Sequence, residues 1–597
     1  MKNIIFKSLI ALSFAGIFAS CSDVLEAPTK SSMDEMVIFS TPILADGAVM
    51  GIHQSFSETN SYRGRFIPFY GLNTDLEWWN SSENVADDRA LLTAYNPNVA
   101  STQMNTDNNA WAKMYEGIER ANICIRGLRA YADIENNVQL AHLLGEALTL
   151  RAMIYYDLIK AWGDVPARFE PLSTETLYIP KSDRDVVFKQ IIADLEEAVD
   201  LVSWPRETAF TQSTERVNKA FVKGLLARTC LFAGGYSQRV DGIRLSTDPE
   251  LSRTIMYTKA KNAAIDVIDS KTSLLGSFEM NFRRLCQENV TAGNESLYEL
   301  PFSDGRGRVL YTFGVKHTTV DKYTQQAQGG SNGPLPTLFY DYDADDIRRD
   351  ITCVPYEWTG GVQVPRQLKS WTFGKLRYEW MNRVVTSTND DGINWQVMRL
   401  ADVYLMAAEA VNELDGPSAA APYLREVRER AFPNNAAKVD AFMTAATASK
   451  EAFFTAIVDE RAFEFAGEMV RKADLIRWNM LKSKLVEARN NLEALANRTG
   501  KYAGYPDKIY FKTLDDGETL EIYGLEKGHT DVFGDANYPS NKGWFISNSL
   551  NNLTTDKINS LYLGDPDTRQ FWPIWQVFLD ASNGTLVNDP WYNPSTN

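Results

Sequence analysis

Apolar side chains recur every three to four residues through much of the first 270 positions of this chain. Trp111, Met114, Tyr115, Ile118, Ile125 and Leu128 mark one helical face. Leu140, Leu144, Ala147, Leu148, Ala152, Tyr155 and Ile159 mark the next. Gly163-Asp164-Val165-Pro166 predicts where that second helix stops. A third helix is predicted over about 184–202, with Val187, Ile191, Leu195, Ala198 and Val202 inward and Ser182 and Asp185 placed like a capping box ahead of it. A fourth follows over 218–234, carried by Ala220, Leu225, Ala227, Leu231 and Ala233, and a fifth over 253–269. A segment at 43–56 precedes them all. The same period returns at 396–412, 418–431, 450–465 and 471–488.

Between these stretches the period is lost. Residues 60–105 are rich in Asn, Ser, Asp and aromatics, as loops are. Residues 275–395 are aromatic and glycine-rich, with short strand-like runs at 296–300 and 309–313, and 497–560 is loop-like again. Helical pairs of roughly 34–45 residues, with small residues such as Ala147, Ala152, Ala407 and Ala410 for close approach, predict a mainly α fold. It is a tetratricopeptide-like helical-repeat scaffold with long loop-rich, partly β insertions. The scaffold takes about 41–270 and 396–490 of a single domain over 41–597. Insertions in such solenoids gather on one face and make the binding surface.

The N-terminus is of another kind. Lys2 and Lys7 precede a largely apolar run from Ile4 to Ala19, which closes on Ala19-Ser20 ahead of Cys21. This pattern predicts a signal peptide over 1–20. The cysteine at the cut resembles the lipobox of bacterial lipoproteins, with Phe18 where Leu is usual. Cys21 is then the lipidation site and 21–40 a tether, and two or more acyl chains make such an anchor stable. The run is too short to be a retained membrane span.

The acidic balance narrows the partners. Loss of residues 1–20 removes two lysines and no acid, taking the net charge from −16 to −18. With no long basic cluster, this argues against nucleic acid. Cys124, Cys230, Cys286 and Cys353 are scattered, and two disulfides are conceivable without being demanded by the spacing. His53, His142, His317 and His529 form no zinc motif, and no nucleophile elbow, P-loop or dinucleotide fingerprint is present. No cofactor is called for. A structural Ca²⁺ among the Asp/Asn-rich loops remains open, although no EF-hand pattern occurs.

Several blocks, in order, carry a resemblance. They include Trp111-x3-Tyr115-x2-Ile118-x-Arg120-Ala121-Asn122, then Gly145-Glu146-Ala147-x3-Arg151-Ala152 leading to Trp162-Gly163-Asp164-Val165-Pro166. Asn294-Glu295-Ser296-Leu297-Tyr298-Glu299 and Met398-Arg399-Leu400-Ala401-Asp402 follow. The most specific is Glu460-Arg461-x2-Glu464-Phe465-x2-Glu468-x2-Arg471-x2-Asp474-Leu475-x-Arg477-Trp478, and Trp572-Pro573-Ile574 lies near the end. Together they resemble the SusD/RagB family of Bacteroidetes outer-membrane lipoproteins. The departures fall in 60–105, 300–395 and 497–560, the regions expected to carry ligand identity.

The charged block also admits a catalytic reading, since glycoside hydrolysis uses two carboxylates. Arginines at helical spacing from Glu464 and Glu468 favour structural ion pairs instead.

The resemblance implies a non-enzymatic, lipid-anchored protein of the outer membrane, facing the cell surface. It would capture an oligosaccharide and deliver it to a SusC-like TonB-dependent transporter. The alternatives are the same scaffold binding peptides or another nutrient, a surface glycoside hydrolase, or a purely structural scaffold. Sugar rings stack on aromatic faces while polar side chains read their hydroxyls, so loop aromatics with polar neighbours are the candidates. The first set is Tyr70, Asn73, Asp75, Glu77, Trp78, Trp79 and Asn80. The two adjacent indoles of that set point opposite ways in an extended chain, so one of them faces a ligand. The second set is Tyr356, Trp358, Trp371, Arg377 and Trp380, with Asn382 nearby.

Overall fold

The computed structural model describes residues 34–303, 305–386, 391–529 and 537–592. Cys21, the 1–20 segment and most of the 21–40 tether lie outside the described residues. The helical period becomes α1 (Pro42–His53), α2 (Ala110–Tyr131), α3 (Val138–Trp162), α4 (Arg184–Leu201), α5 (Lys219–Ala233) and α6 (Arg253–Ser270). From α2 onward each packs on the next. Buried on nearly every side, α3 is the spine. Asn137 caps its start by accepting from the Gln139 and Leu140 amides, and Gly163 ends it at φ +72°, a region open to glycine at little cost. Gly145 lets the end of α4 close on it: a Cβ there would lie 2.6 Å from Val202 Cγ1.

After α7 (Phe278–Cys286) and the insertions, the scaffold resumes with α8 (Leu400–Asp415), α9 (Pro417–Ala431), α10 (Ala436–Ala446), α11 (Lys450–Phe465), α12 (Arg471–Arg477) and α13 (Leu481–Asn497). Helix α8 packs on both α6 and α9, which joins the two helical stretches. The mainly α scaffold with small sheets is as expected.

Several local expectations are corrected. The cap of α4 is Asp183, which accepts from the Asp185 amide at 2.8 Å, so Ser182 is not the cap. Residues 309–313 form a short helix, not a strand. Their β-prone side chains are overridden where the Tyr311 amide donates to the Asp391 carboxylate at 3.1 Å. The helix expected from 396 begins at Leu400, because β6 (Trp395–Arg399) pairs antiparallel with β2 (Ser296–Leu300). The 471–488 pattern is two helices, broken at Asn479 with φ +58°. Cys124, Cys230, Cys286 and Cys353 are buried and free.

The remaining strands are short. β1 (Glu77–Trp79) pairs with β3 (Asn332–Pro334), and β4 (Tyr356–Thr359) with β5 (Val362–Pro365). β7 (Lys508–Thr513) lies between β8 (Leu520–Tyr523) and β9 (Ser540–Gly543). Among the described residues no helix is long and apolar enough to cross a membrane.

The charged block folds inward. Glu464 is closed on by Arg348, Arg399 and Arg430. Arg399 also reaches Glu295 at 2.8 Å and Glu468 at 2.7 Å, and Arg348 reaches Glu460 and Asp346, each at 2.7 Å. Arg461 bridges Asp402 and Asp474 at 2.6 and 2.7 Å. Apart from Arg348–Asp346, these pairs cross between elements, so they fix how the helices and insertions dock. Burial works against the Glu464 charge, and the three guanidiniums overcome it, holding the carboxyl far below the usual carboxylate range.

Candidate functional site

The first candidate set comes together in one place, but its side chains turn inward. Asn73, at φ +56°, donates to the Ser560 and Leu561 carbonyls at 2.9 and 3.2 Å and accepts from the Trp79 amide. The Tyr70 hydroxyl donates to the Lys160 carbonyl at 2.8 Å. Asp75 holds Arg471 through two bonds of 2.9 and 2.7 Å. Glu77 accepts from the Gly467 amide at 2.8 Å, and burial pushes its carboxyl up to about 8. Asn80 donates to the Gly330 carbonyl at 2.9 Å.

The two indoles do point opposite ways. Trp78 has no exposed surface and lies under the Lys557 ammonium at 4.0 Å. Trp79 is nearly as buried, with Phe69 at its edge and the Arg89 guanidinium 5.2 Å above its ring. Neither ring is open to a ligand as the chain stands, and Trp79 is covered by a surface side chain.

The second set is divided. Arg377 joins Tyr356, donating to its hydroxyl at 2.8 Å, to Trp380, whose ring lies 4.8 Å from the guanidinium. Trp358 instead stacks on His317 and donates to Glu379 at 3.3 Å. Trp371 is fully buried beside Phe339 and Tyr340. Asn382 donates to the Gln287 carbonyl at 3.3 Å.

Outside the Trp79 strand, the structure assembles a surface that neither set contains. A turn of π-helix over Tyr62–Phe66 presents Arg65, and a short helix over Asp88–Thr93 presents Arg89. The segment leading into the Val309–Phe313 helix presents Arg308, whose guanidinium lies 4.6 Å from the Tyr311 ring. Arg65 donates to the Gln103 carbonyl at 3.2 Å, while Asp88 accepts from the amide and hydroxyl of the adjacent Thr102 at 2.6 and 2.7 Å. Arg65 and Arg89 are thus set along the same short stretch of backbone. Arg308 packs on the π-helical turn, its Cδ 3.6 Å from where a Cβ on Gly64 would sit. Burial and the charges of Arg308 and Arg89 lower Arg65 to about 10. Short π-helical turns occur frequently at functional sites. The signal was present in the sequence as Arg63-x-Arg65 and Arg306-x-Arg308, but a search for aromatic rings passes over it.

A second surface forms an aromatic groove. Trp111, Tyr115, Tyr178 and Phe578 line a groove of about 380 Å³. Several of its polar groups are committed: the Tyr115 hydroxyl donates to the Pro166 carbonyl at 2.9 Å, and Ser582 and Thr585 donate to nearby carbonyls. The arginine face, in contrast, carries guanidinium N–H groups in a loop-built, half-exposed setting, as recognition of hydroxyls or anions requires.

Two family models match this chain. One, described as the SusD family, covers residues 278–592. The other, described as starch-binding and associating with the outer membrane, covers 29–231. The chain belongs to the SusD family. This SusD-family chain is 27% identical over 491 residues to SusD-like protein P25 of Formosa agariphila, covering 77% of this chain and 88% of that protein. It is 23% identical to a SusD-like protein of Bacteroides ovatus, over 87% and 91% of the two chains. In fold it is similar to a SusD homolog from Bacteroides thetaiotaomicron, with a TM-score of 0.72 at 19% identity over 95% and 99% of the chains. It is similar also to surface glycan-binding protein A of that organism, solved with laminarihexaose, with a TM-score of 0.60 at 17% identity over 91% and 98%.

Proposed function

We propose that this SusD-family chain is a lipid-anchored cell-surface protein that captures an oligosaccharide and delivers it to a SusC-like TonB-dependent transporter, making and breaking no bond. The observation that carries the reading is the family match, whose two segments, 29–231 and 278–592, take in most of the scaffold and its insertions. The complex of a fold neighbour with laminarihexaose supports a sugar as the class of ligand. The ligand face is the surface of Arg65, Arg89, Arg308 and Tyr311, on segments that depart from the family blocks. Cys21 supplies the anchor, which keeps the body at high effective concentration beside its membrane partner.

The test uses the chain from Cys21 onward with Cys21→Ala, purified without detergent and titrated against a panel of oligosaccharides and peptides. Saturable retention of an oligosaccharide, with no release of reducing ends, is the expected result. Turnover of the sugar, or binding of peptides alone, would sink the proposal. In cells the same substitution should release an intact protein from the membrane and weaken uptake, and continued membrane association would end the anchoring argument.

A further inference from the structure

Resting on the reading of Cys21 as a lipid anchor, we infer that the outer face of the first two described helices lies on the bilayer, its apolar side chains settled at the boundary between headgroups and acyl chains. Each helix has an inner side that is committed. Phe39, on the helix Glu35–Ser40, is buried against Gly127 of α2, and Ala45, Val49 and Ile52 bury the inner side of α1. The outer side is bare. Ile43, Gly47, Met50 and Gln54 follow one another at the spacing of a single helical face. Ile43 is 79% exposed, more than any other large apolar side chain among the described residues, and Met36 and Val37 on the preceding helix are about half exposed. A Cβ on Gly47 or Gly51 would meet no atom within 4 Å, so nothing among the described residues covers this side.

Two observations point to lipid as the cover. The first is charge. The acids of these two helices are both paired, Glu35 with Arg126 at 2.7 Å and Asp46 with Arg216 at 2.8 Å. Gln54, the polar side chain at the end of the stripe, accepts from Arg120 at 3.1 Å. A protein partner is recognised through about one hydrogen bond per 100–200 Å² of interface, and Ile43, Gly47 and Met50 have no side-chain group to make one. Hydrocarbon asks for none. The second is reach. Asp34, which caps the first helix, stands 13 residues after Cys21, a stretch of chain that spans at most about 45 Å. A body of this many residues has a radius of gyration of about 24 Å and is about 60 Å across. The membrane that holds Cys21 therefore meets the side on which Asp34 lies and not the far one. An acidic body gains nothing from an anionic headgroup layer, so the approach falls to this uncharged face, whose side chains enter the boundary region to a depth of about 5–10 Å. The acyl chains hold the protein, and the face gives it an orientation.

The experiment uses the lipidated chain in phosphatidylcholine vesicles, with an environment-sensitive fluorophore on Ile43→Cys or, as the control, on Val240→Cys, an exposed apolar position in the hairpin of residues 237–244. Cys124, Cys230, Cys286 and Cys353 are buried and do not compete for the label. In the vesicle fraction recovered by flotation, emission from position 43 should shift to the blue and fall at least twofold with brominated acyl chains, while position 240 keeps its emission. Ile43→Asp combined with Met50→Asp, read from a label on Val37→Cys, should remove at least half of that quenching with no change in flotation or unfolding midpoint. Flotation without quenching at position 43, or equal quenching at position 240, overturns the inference and leaves the anchor in place. A shift that requires the transporter in the same vesicle, or that appears without vesicles at high protein concentration, overturns it in favour of a protein partner or a second copy. A chain that does not float overturns the anchor and this inference together.

Discussion

Around Glu464, Arg348, Arg399 and Arg430 close on a carboxylate that has no exposed surface; above Trp79, Arg89 pairs with Asp87, while Arg65 bonds only neutral oxygens. The residue type is the same and the outcome is opposite. In the first region every guanidinium is matched within the protein, and the match locks α9 and α11 to the Arg348 and Arg399 segments. In the second, Arg89 is matched by Asp87 and Arg65 only by neutral oxygens, in a part-exposed setting. Charge matched in the interior serves assembly, whereas the part-exposed arginines keep a face turned to solvent.

The largest effect should follow from breaking the first region. Glu464→Gln removes the carboxylate that three guanidiniums share, and loss of one partner of a buried pair typically costs about 3–5 kcal/mol. The lower end applies, because Arg348 keeps Asp346 and Glu460, Arg399 keeps Glu295 and Glu468, and Arg430 keeps Glu295. Chemical denaturation should show a large fall in midpoint, and an unchanged midpoint would mean that the network contributes little. Acid probes the same logic without mutation. Burial opposes the charge of Glu146, but the bond from His53 and the charge of Arg216 prevail and hold its carboxyl at about 2, against an ordinary 4.5. A lowered acid pKa stabilises the fold fully above the unfolded value, and that share is lost as pH falls from about 4.5 towards 2. It amounts to about 3 kcal/mol, and thermal unfolding across that range should reveal it. The smallest effect belongs to the second region. Arg65→Gln gives up bonds to three neutral oxygens from a half-buried side chain and should cost about 1 kcal/mol. A large loss there would erase the contrast between the two regions.

The helical scaffold was legible because Leu144, Leu148 and Tyr155, or Val187, Ile191 and Leu195, repeat at the period of the element they form. The charged block was legible as structural because Glu464 and Glu468 travel with arginines, although their partners proved to lie on other elements and not along one helix. Residues 60–105 misled for a physical reason. Polar and aromatic density reads as a surface loop, yet Asn73, Asp75 and Asn80 spend their polar atoms on Ser560, Arg471 and Gly330, and the rings between them are packed away. The arginine face was hidden differently: Arg65, Arg89 and Arg308 are far apart in sequence, and only the fold makes them neighbours. The break at Asn479 was likewise beyond a hydrophobic pattern that runs on through it.

The Trp572-Pro573-Ile574 block ties remote parts of the chain together. The Trp572 amide donates to the Ala161 carbonyl at 2.7 Å, and its indole donates to the Leu92 carbonyl at 3.2 Å. The Trp162 indole in turn donates to the Pro573 carbonyl at 3.1 Å. The block therefore completes the packing of a helix that lies far earlier in the chain, 411 residues separating Trp162 from Pro573. Without it, Trp162 and its aromatic neighbours would lose their cover, so the stability of α3 is tied to a segment remote in sequence.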